Sequence, residues 1–209
     1  MRSCSLLLLI AASVLASPHA DASNQVVNPD FDADVSGWIG NLSFAAGLDA
    51  NDDPASGSAF VLNSIPASGS EASQRIAVTP GQPVRATFHV YIASGQSGVG
   101  YAWPALNFFE GACDAHGPYI STANAVLVAA PFDAWVPSEV SDTLPPANAG
   151  CAQVLLFVRN NGADGTFGAY FDAISAPEPD AAACALAAAA AVAATKRARA
   201  RAAAASRRS

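Results

Sequence analysis

The sequence predicts an all-β domain, a sandwich or jelly roll, on three observations. Residues 84–92 alternate with period two, which places Val84, Ala86, Phe88, Val90 and Ile92 on one face. Residues 154–158 form an unbroken apolar run, consistent with a strand buried on both sides. Short runs of this kind recur from residue 39 to residue 175 between Gly, Pro, Asn and Ser, and no amphipathic helix of ten residues appears before residue 180.

In chain order, residues 1–22 come before this domain and read as a secretory signal helix. Arg2 gives the positive start, and residues 6–15 are apolar but too short to span a bilayer. The triplets ending at Ala16 and Ala22 both fit a small-x-small cleavage rule, and Cys4 precedes the apolar run, out of place for lipid attachment. The domain then occupies residues 23–176. Strands are expected near 39–46, 58–63, 73–78, 84–92, 100–109, 123–130, 134–141, 154–158 and 167–175. A turn at 79–83 leads into the 84–92 strand, and Asn160-Asn161-Gly162 ends the buried run.

Residues 177–209 form a tail in three parts. Pro177-Glu178-Pro179 comes first, then an uncharged, Ala-rich stretch over 181–194, then Lys and Arg spread over 196–208. This order resembles the PEP-CTERM sorting signals of Gram-negative bacteria. The resemblance implies a protein that is secreted or held at the cell envelope, with an exosortase-like processing enzyme as partner. A weak apolar helix would pause in the membrane while the trailing positive charges stay on the cytoplasmic side. The plainer alternative is a solvent-exposed Ala/Arg-rich helix, since Ala is the best helix former.

Charge is divided sharply along the chain. The whole sequence carries −7, but residues 23–180 hold sixteen acids against Arg75, Arg85 and Arg159, a balance of −13. Such a surface repels phosphate backbones and argues against nucleic acid as a partner. It suits divalent cations and uncharged polar ligands, or serves only solubility. Two cysteines remain inside the domain, Cys113 and Cys151. In an oxidising compartment they are expected to form a disulfide, worth about 3–4 kcal/mol from loop closure. A free thiol or a metal pair is the alternative, although His116 is the sole nearby partner for zinc.

Two segments at the domain's ends carry a family resemblance. The first runs from Val26 through Asn28, Phe31 and Asp32 to Gly37-Trp38, and the second is Ala169-Tyr170-Phe171-Asp172-Ala173-Ile174-Ser175. With residues 53–63 they resemble CenC-type carbohydrate-binding modules and their galactose-binding-like jelly-roll relatives. The resemblance implies that fold and an extracellular polysaccharide as partner. It also implies a structural calcium ion between first and last strands, held by Asp32 and Asp172 with main-chain oxygens of residues 49–57. Asp49, Asp52 and Asp53 make that loop rich in oxygen. Alternatively, Asp32 and Asp172 are turn or capping residues.

Sugar sites combine aromatic faces with amides and charged groups. Tyr101 and Trp103 share one side of a strand, with Asn107 further along it; His89 and Tyr91 share the polar side of 84–92; Arg159 ends the buried run. These six would line one sheet face if strands 84–92 and 153–159 were neighbours. Trp38 and Trp135 are assigned to packing. No HExxH, GxSxG, P-loop or dinucleotide fingerprint is present. The expectation is therefore a non-enzymatic envelope or secreted protein that binds glycan. The alternative is a structural or adhesive protein with the same fold and no sugar site.

Overall fold

The computed structural model describes residues 23–178. The signal segment, its cleavage sites, and the apolar and basic parts of the tail lie outside the described residues. Eleven strands are present: β1 (Ile39–Gly40), β2 (Leu42–Ala46), β3 (Gly57–Asn63), β4 (Ser68–Ala77), β5 (Val84–Tyr91), β6 (Gly100–Ala102), β7 (Ala105–Glu110), β8 (Tyr119–Asn124), β9 (Trp135–Thr143), β10 (Ala149–Asn160) and β11 (Phe167–Ser175). Sheet one runs β1-β4-β10-β7-β8, with β6 also pairing with β10, and sheet two runs β2-β3-β11-β5-β9. Every strand pairing is antiparallel.

The period-two pattern settles which side of each strand meets the core. On β5, Val84, Ala86, Phe88 and Val90 are buried while Arg85, Thr87, His89 and Tyr91 point outward. From sheet one, Val154, Leu156, Val158, Leu106 and Phe108 enter the same core, as do Val61, Ala169 and Phe171 of sheet two. The apolar run of β10 has a different cause on each side. Its even-numbered residues are core, whereas Leu155 on the outer face is only 8% exposed because flanking side chains stand above it.

The 123–130 run is not a strand. β8 ends at Asn124, and the following segment closes the side between the sheets. Val128 exchanges two backbone hydrogen bonds with Ala102, Ser138 donates to the carbonyl of Val126, and Ala125 and Val128 are buried. Its apolar character reflects this plugging position rather than a sheet ladder. β4 and β10 are longer than expected because ten consecutive residue pairs join them, carrying the polar Ser68–Ser70 stretch into the sheet.

The opposite side is closed by residues 24–38. Gln25 and Ile174 donate to the carbonyls of Ala176 and Pro29, at 3.1 and 3.0 Å, so the first segment lies along the last strand. Phe31 and Trp38 pack with ring centroids 5.6 Å apart. The Gln74 side chain accepts from Val27 N at 2.6 Å and donates to the carbonyls of Val27 and Gly37. Gly37 lies at φ +82°, and a side chain there would press on Val27, so the Gly-Trp pair of the motif is a backbone requirement. Cys113 and Cys151 form a disulfide with a Cα–Cα distance of 4.8 Å, tying the short 3₁₀ turn Cys113–Ala115 to β10.

Candidate functional site

The six expected ligand residues divide between two opposite faces. The neighbours of β10 are β4, β6 and β7, while those of β5 are β9 and β11. The strands carrying His89 and Arg159 therefore belong to different sheets. Tyr101, Trp103, Asn107 and Arg159 share the outer face of sheet one, and His89 and Tyr91 share that of sheet two.

On sheet one the register fixes the rows. Arg159 lies opposite Tyr101, Leu155 lies between Ser73 and Ala105, and Gln153 lies between Arg75 and Asn107. Trp103 donates its backbone N–H to the carbonyl of Phe157 at 2.7 Å, and the two rings meet edge to face at 6.0 Å. Phe157 lies over Gly69, where a Cβ would come within 2.2 Å of the ring. Four hydrogen bonds then cross the face in one line. Tyr119 OH meets Thr122 Oγ1 at 2.8 Å, Thr122 donates to Asn107 Oδ1 at 2.6 Å, Asn107 donates to Gln153 Oε1 at 3.2 Å, and Gln153 donates to Ser73 Oγ at 2.7 Å. Beside this line the Arg75 guanidinium sits 5.1 Å from the centroid of Phe109 and donates to the Cys113 carbonyl. Its contact with His116 Nδ1 fixes it further.

Where the polar line approaches the aromatic pair, the sheet is closed over by the flanking side chains. Ser73, Ala105 and Leu155 face outward yet are only 4%, 1% and 8% exposed. Phe157 and Gln153 are four residues apart, so about 13 Å separates them along the strand. Rings, amides, a hydroxyl and a guanidinium thus share one outer face of the sandwich. That set suits a polyhydroxylated ligand with apolar C–H faces. The sequence pointed to Trp103 and Asn107 but not to Phe157, Gln153, Ser73 or Arg75, because cross-strand register is invisible in the chain. The odd-numbered outward pattern of 153–159 was the available signal.

Sheet two presents a different face. Phe60, Tyr170, Tyr91 and Trp135 stand opposite one another on β3, β11, β5 and β9. Successive centroids are 4.5, 5.8 and 5.5 Å apart, so the four rings form one continuous row. Trp135, assigned to packing from the sequence, is half-buried here and lines a cavity of about 340 Å³ together with Tyr91.

Next to that row lies a carboxyl cluster. Asp172 pairs with His89 in the ladder and is fully buried. Its Oδ2 accepts from Ala50 N at 2.7 Å, while Oδ1 has no partner. Ser58 Oγ and His89 Nδ1 are likewise buried and unpartnered. Burial raises the Asp172 carboxyl to about 7, helped by the charges of Asp49 and Asp30 and opposed by the N–H groups of Ala50 and Ala173. Asp30 is also raised, first by burial and then by Asp32 and Asp49. At Asp49 burial acts upward, but the N–H groups of Asp53 and Asn51, the Ser56 hydroxyl and the Asp172 carboxyl together hold it low.

Asp32 is exposed and joins the cluster through Ser56, whose hydroxyl contacts Asp32 Oδ1 and the Asp30 carbonyl, each at 3.3 Å. The strongest charged neighbours of Asp172 are thus Asp49 and Asp30. The orphaned buried carboxylate oxygen offers a hard cation one ligand, with the His89 imidazole as its cross-strand neighbour. No group of three His, Cys, Asp or Glu side chains is placed to hold a metal among the described residues. A calcium ion would therefore draw on Asp172 with main-chain oxygens of residues 49–57.

No protein-family model and no curated protein sequence matches this chain. Solved structures do. A family 16 carbohydrate-binding module aligns with TM-score 0.51 at 14% identity, over 74% of this chain and 100% of that one. The xylan-binding domain of family 22 aligns with TM-score 0.52 at 17% identity, over 78% and 98%. The enzymatically active domain of bacteriophage CBA120 tailspike protein 4 aligns with TM-score 0.53 at 16% identity, and there the match spans only 21% of that chain. The fold is a two-sheet antiparallel β-sandwich resembling carbohydrate-binding modules.

Proposed function

We propose that this chain is an exported, non-enzymatic protein of the cell envelope or its surroundings, and that its β-sandwich binds extracellular glycan on the outer face of sheet one. The observation that carries the reading is the Trp103–Phe157 pair on the same outer face as the hydrogen-bonded line Tyr119–Thr122–Asn107–Gln153–Ser73. A sugar ring laid across this face offers C–H faces to the aromatic pair and hydroxyls to amides that are already fixed. Fixed partners lose little entropy on binding. Tyr101 and Arg159 continue the site past the aromatic pair. Similarity to carbohydrate-binding modules supports the ligand class, although one fold hosts unrelated ligands.

A structural calcium ion held through Asp172 belongs to the same proposal. Its part would be to neutralise the cluster that joins the first segment to the last strand. The test of the function is a glycan array probed with the purified protein. Binding to a defined set of polysaccharides supports the proposal. Failure to bind any glycan, with the protein folded, favours a structural or adhesive role.

A further inference from the structure

We propose that the outer face of sheet two holds a second, separate carbohydrate site, selective for a sugar that carries a free, protonated amine. The proposal rests on the glycan-binding reading for the class of ligand, but not for any of its residues.

The site starts at the cavity of about 340 Å³, lined by Tyr91, Trp135, Asp49, Asp52, Asp53 and Asp133. Three of these carboxylates are held in place by backbone donors, Asp53 through Ala55 N at 2.9 Å. Asp133 Oδ1 accepts from Ser94 N at 2.8 Å and lies 3.4 Å from Tyr91 OH. Asp49 Oδ1 accepts from Asn51 N at 2.6 Å and from Asp53 N at 3.1 Å. Among the described residues, none has an arginine partner. Arg75 is engaged at Phe109 and His116, Arg159 stands on the other sheet, and Arg85 pairs with Glu139 at 2.6 Å. Carboxylates without an arginine or lysine partner, set around two aromatic rings, make a poor setting for a neutral ligand alone. They favour an ammonium group, which is attracted by both the carboxylates and the ring faces.

The rest of the face says what carries that ammonium. From the cavity mouth the aromatic row continues over Tyr170 to Phe60, three strand spacings or about 14 Å. A lysine side chain or a small amine would fill the cavity and leave this row unused. A chain of sugar rings uses both. An unacetylated amino sugar seats its ammonium among the carboxylates and stacks its C–H face on Tyr91 and Trp135, while the following residues lie along Tyr170 and Phe60. With the sheet-one face on the opposite side of the sandwich, one molecule would then hold two glycan segments.

The experiment is isothermal titration of the purified full chain with a β-1,4-linked glucosamine oligosaccharide and with its fully N-acetylated counterpart. The free amine form should bind at least about tenfold tighter. Asp133→Asn keeps the acceptor for Ser94 and should cost about tenfold. Trp135→Ala should remove binding to the amine form, and Trp103→Ala should leave it unchanged. A melting curve for each variant confirms that it is folded, and the isosteric Asp133→Asn serves if Trp135→Ala is not. Equal affinity for the acetylated form, insensitivity to Asp133→Asn, or competition by a lysine-rich peptide as strong as by the oligosaccharide would each overturn the proposal. Loss of amine-form binding in Trp103→Ala would place that binding on sheet one and overturn it too. Failure of all glycans to bind sheet one, with the amine form still bound through Trp135, would remove the first reading and leave this one standing.

Discussion

Asp172 is the residue at which a single oxygen substitution should change the pH dependence of the whole domain. Its carboxyl titrates near 7 in the folded protein against an ordinary 3.8, with burial as the largest cause. Unfolding releases it to its ordinary value. Between these limits the folded state holds a proton that the unfolded state has lost, so this group destabilises the fold progressively as pH rises from about 4 to about 7. The penalty amounts to about a few kcal/mol at pH 8 and to nothing below about pH 4. Asp172→Asn removes the charge and keeps an acceptor for Ala50 N. Urea denaturation at about pH 5 and pH 8, in EDTA, should show the variant gaining on wild type by a few kcal/mol at the higher pH. Calcium bound through this carboxylate would stabilise its charged form, so added calcium should raise wild type at pH 8 and leave the variant unmoved. Parallel pH profiles for the two proteins in EDTA would show that Asp172 carries no buried charge penalty. Identical wild-type stability in EDTA and in calcium would dispose of the metal.

Further outcomes follow from other parts of the fold. Reduction of the Cys113–Cys151 bridge should lower stability by about 3–4 kcal/mol, read from denaturation midpoints with and without reductant; an unchanged midpoint would contradict that contribution. Gly69→Val should displace Phe157, destabilise the domain by about 1–3 kcal/mol and weaken glycan binding, because a Cβ there falls within 2.2 Å of the ring. Intact-mass analysis of protein recovered from its own host should show loss of residues 1–16 or 1–22 and a new C-terminus near 177–180. A chain still ending at Ser209 would rule out sorting.

Much of the fold was legible because burial on alternate residues leaves a period in the sequence. β5 and β11 appear where the pattern placed them, and the Gly37-Trp38 pair marks a backbone turn that few other residues permit. The 123–130 run misled for a physical reason: a loop that plugs the side of a sandwich is as apolar as a strand. The site was legible in parts only. Outward aromatics and amides show in the chain, but the sheet that carries them does not. His89 and Arg159 could be joined on one face only by assuming that β5 neighbours β10. Trp135 looked like packing because its partners Tyr91, Tyr170 and Phe60 come from three other strands. Asp172 was visible as a family-like carboxylate, whereas its burial beside Asp49 depends on how residues 47–54 lie over sheet two.

The most direct test of glycan binding on sheet one is side-chain chemical-shift mapping by NMR during titration with the best polysaccharide fragment from the array. The Trp103 indole N–H and the side-chain amides of Asn107 and Gln153 should shift together and saturate at one ligand concentration, while the Trp38 indole, buried against Phe31, stays still. Shifts absent from those three groups, with the fragment demonstrably bound, would show that the outer face of sheet one is not where this protein meets its glycan.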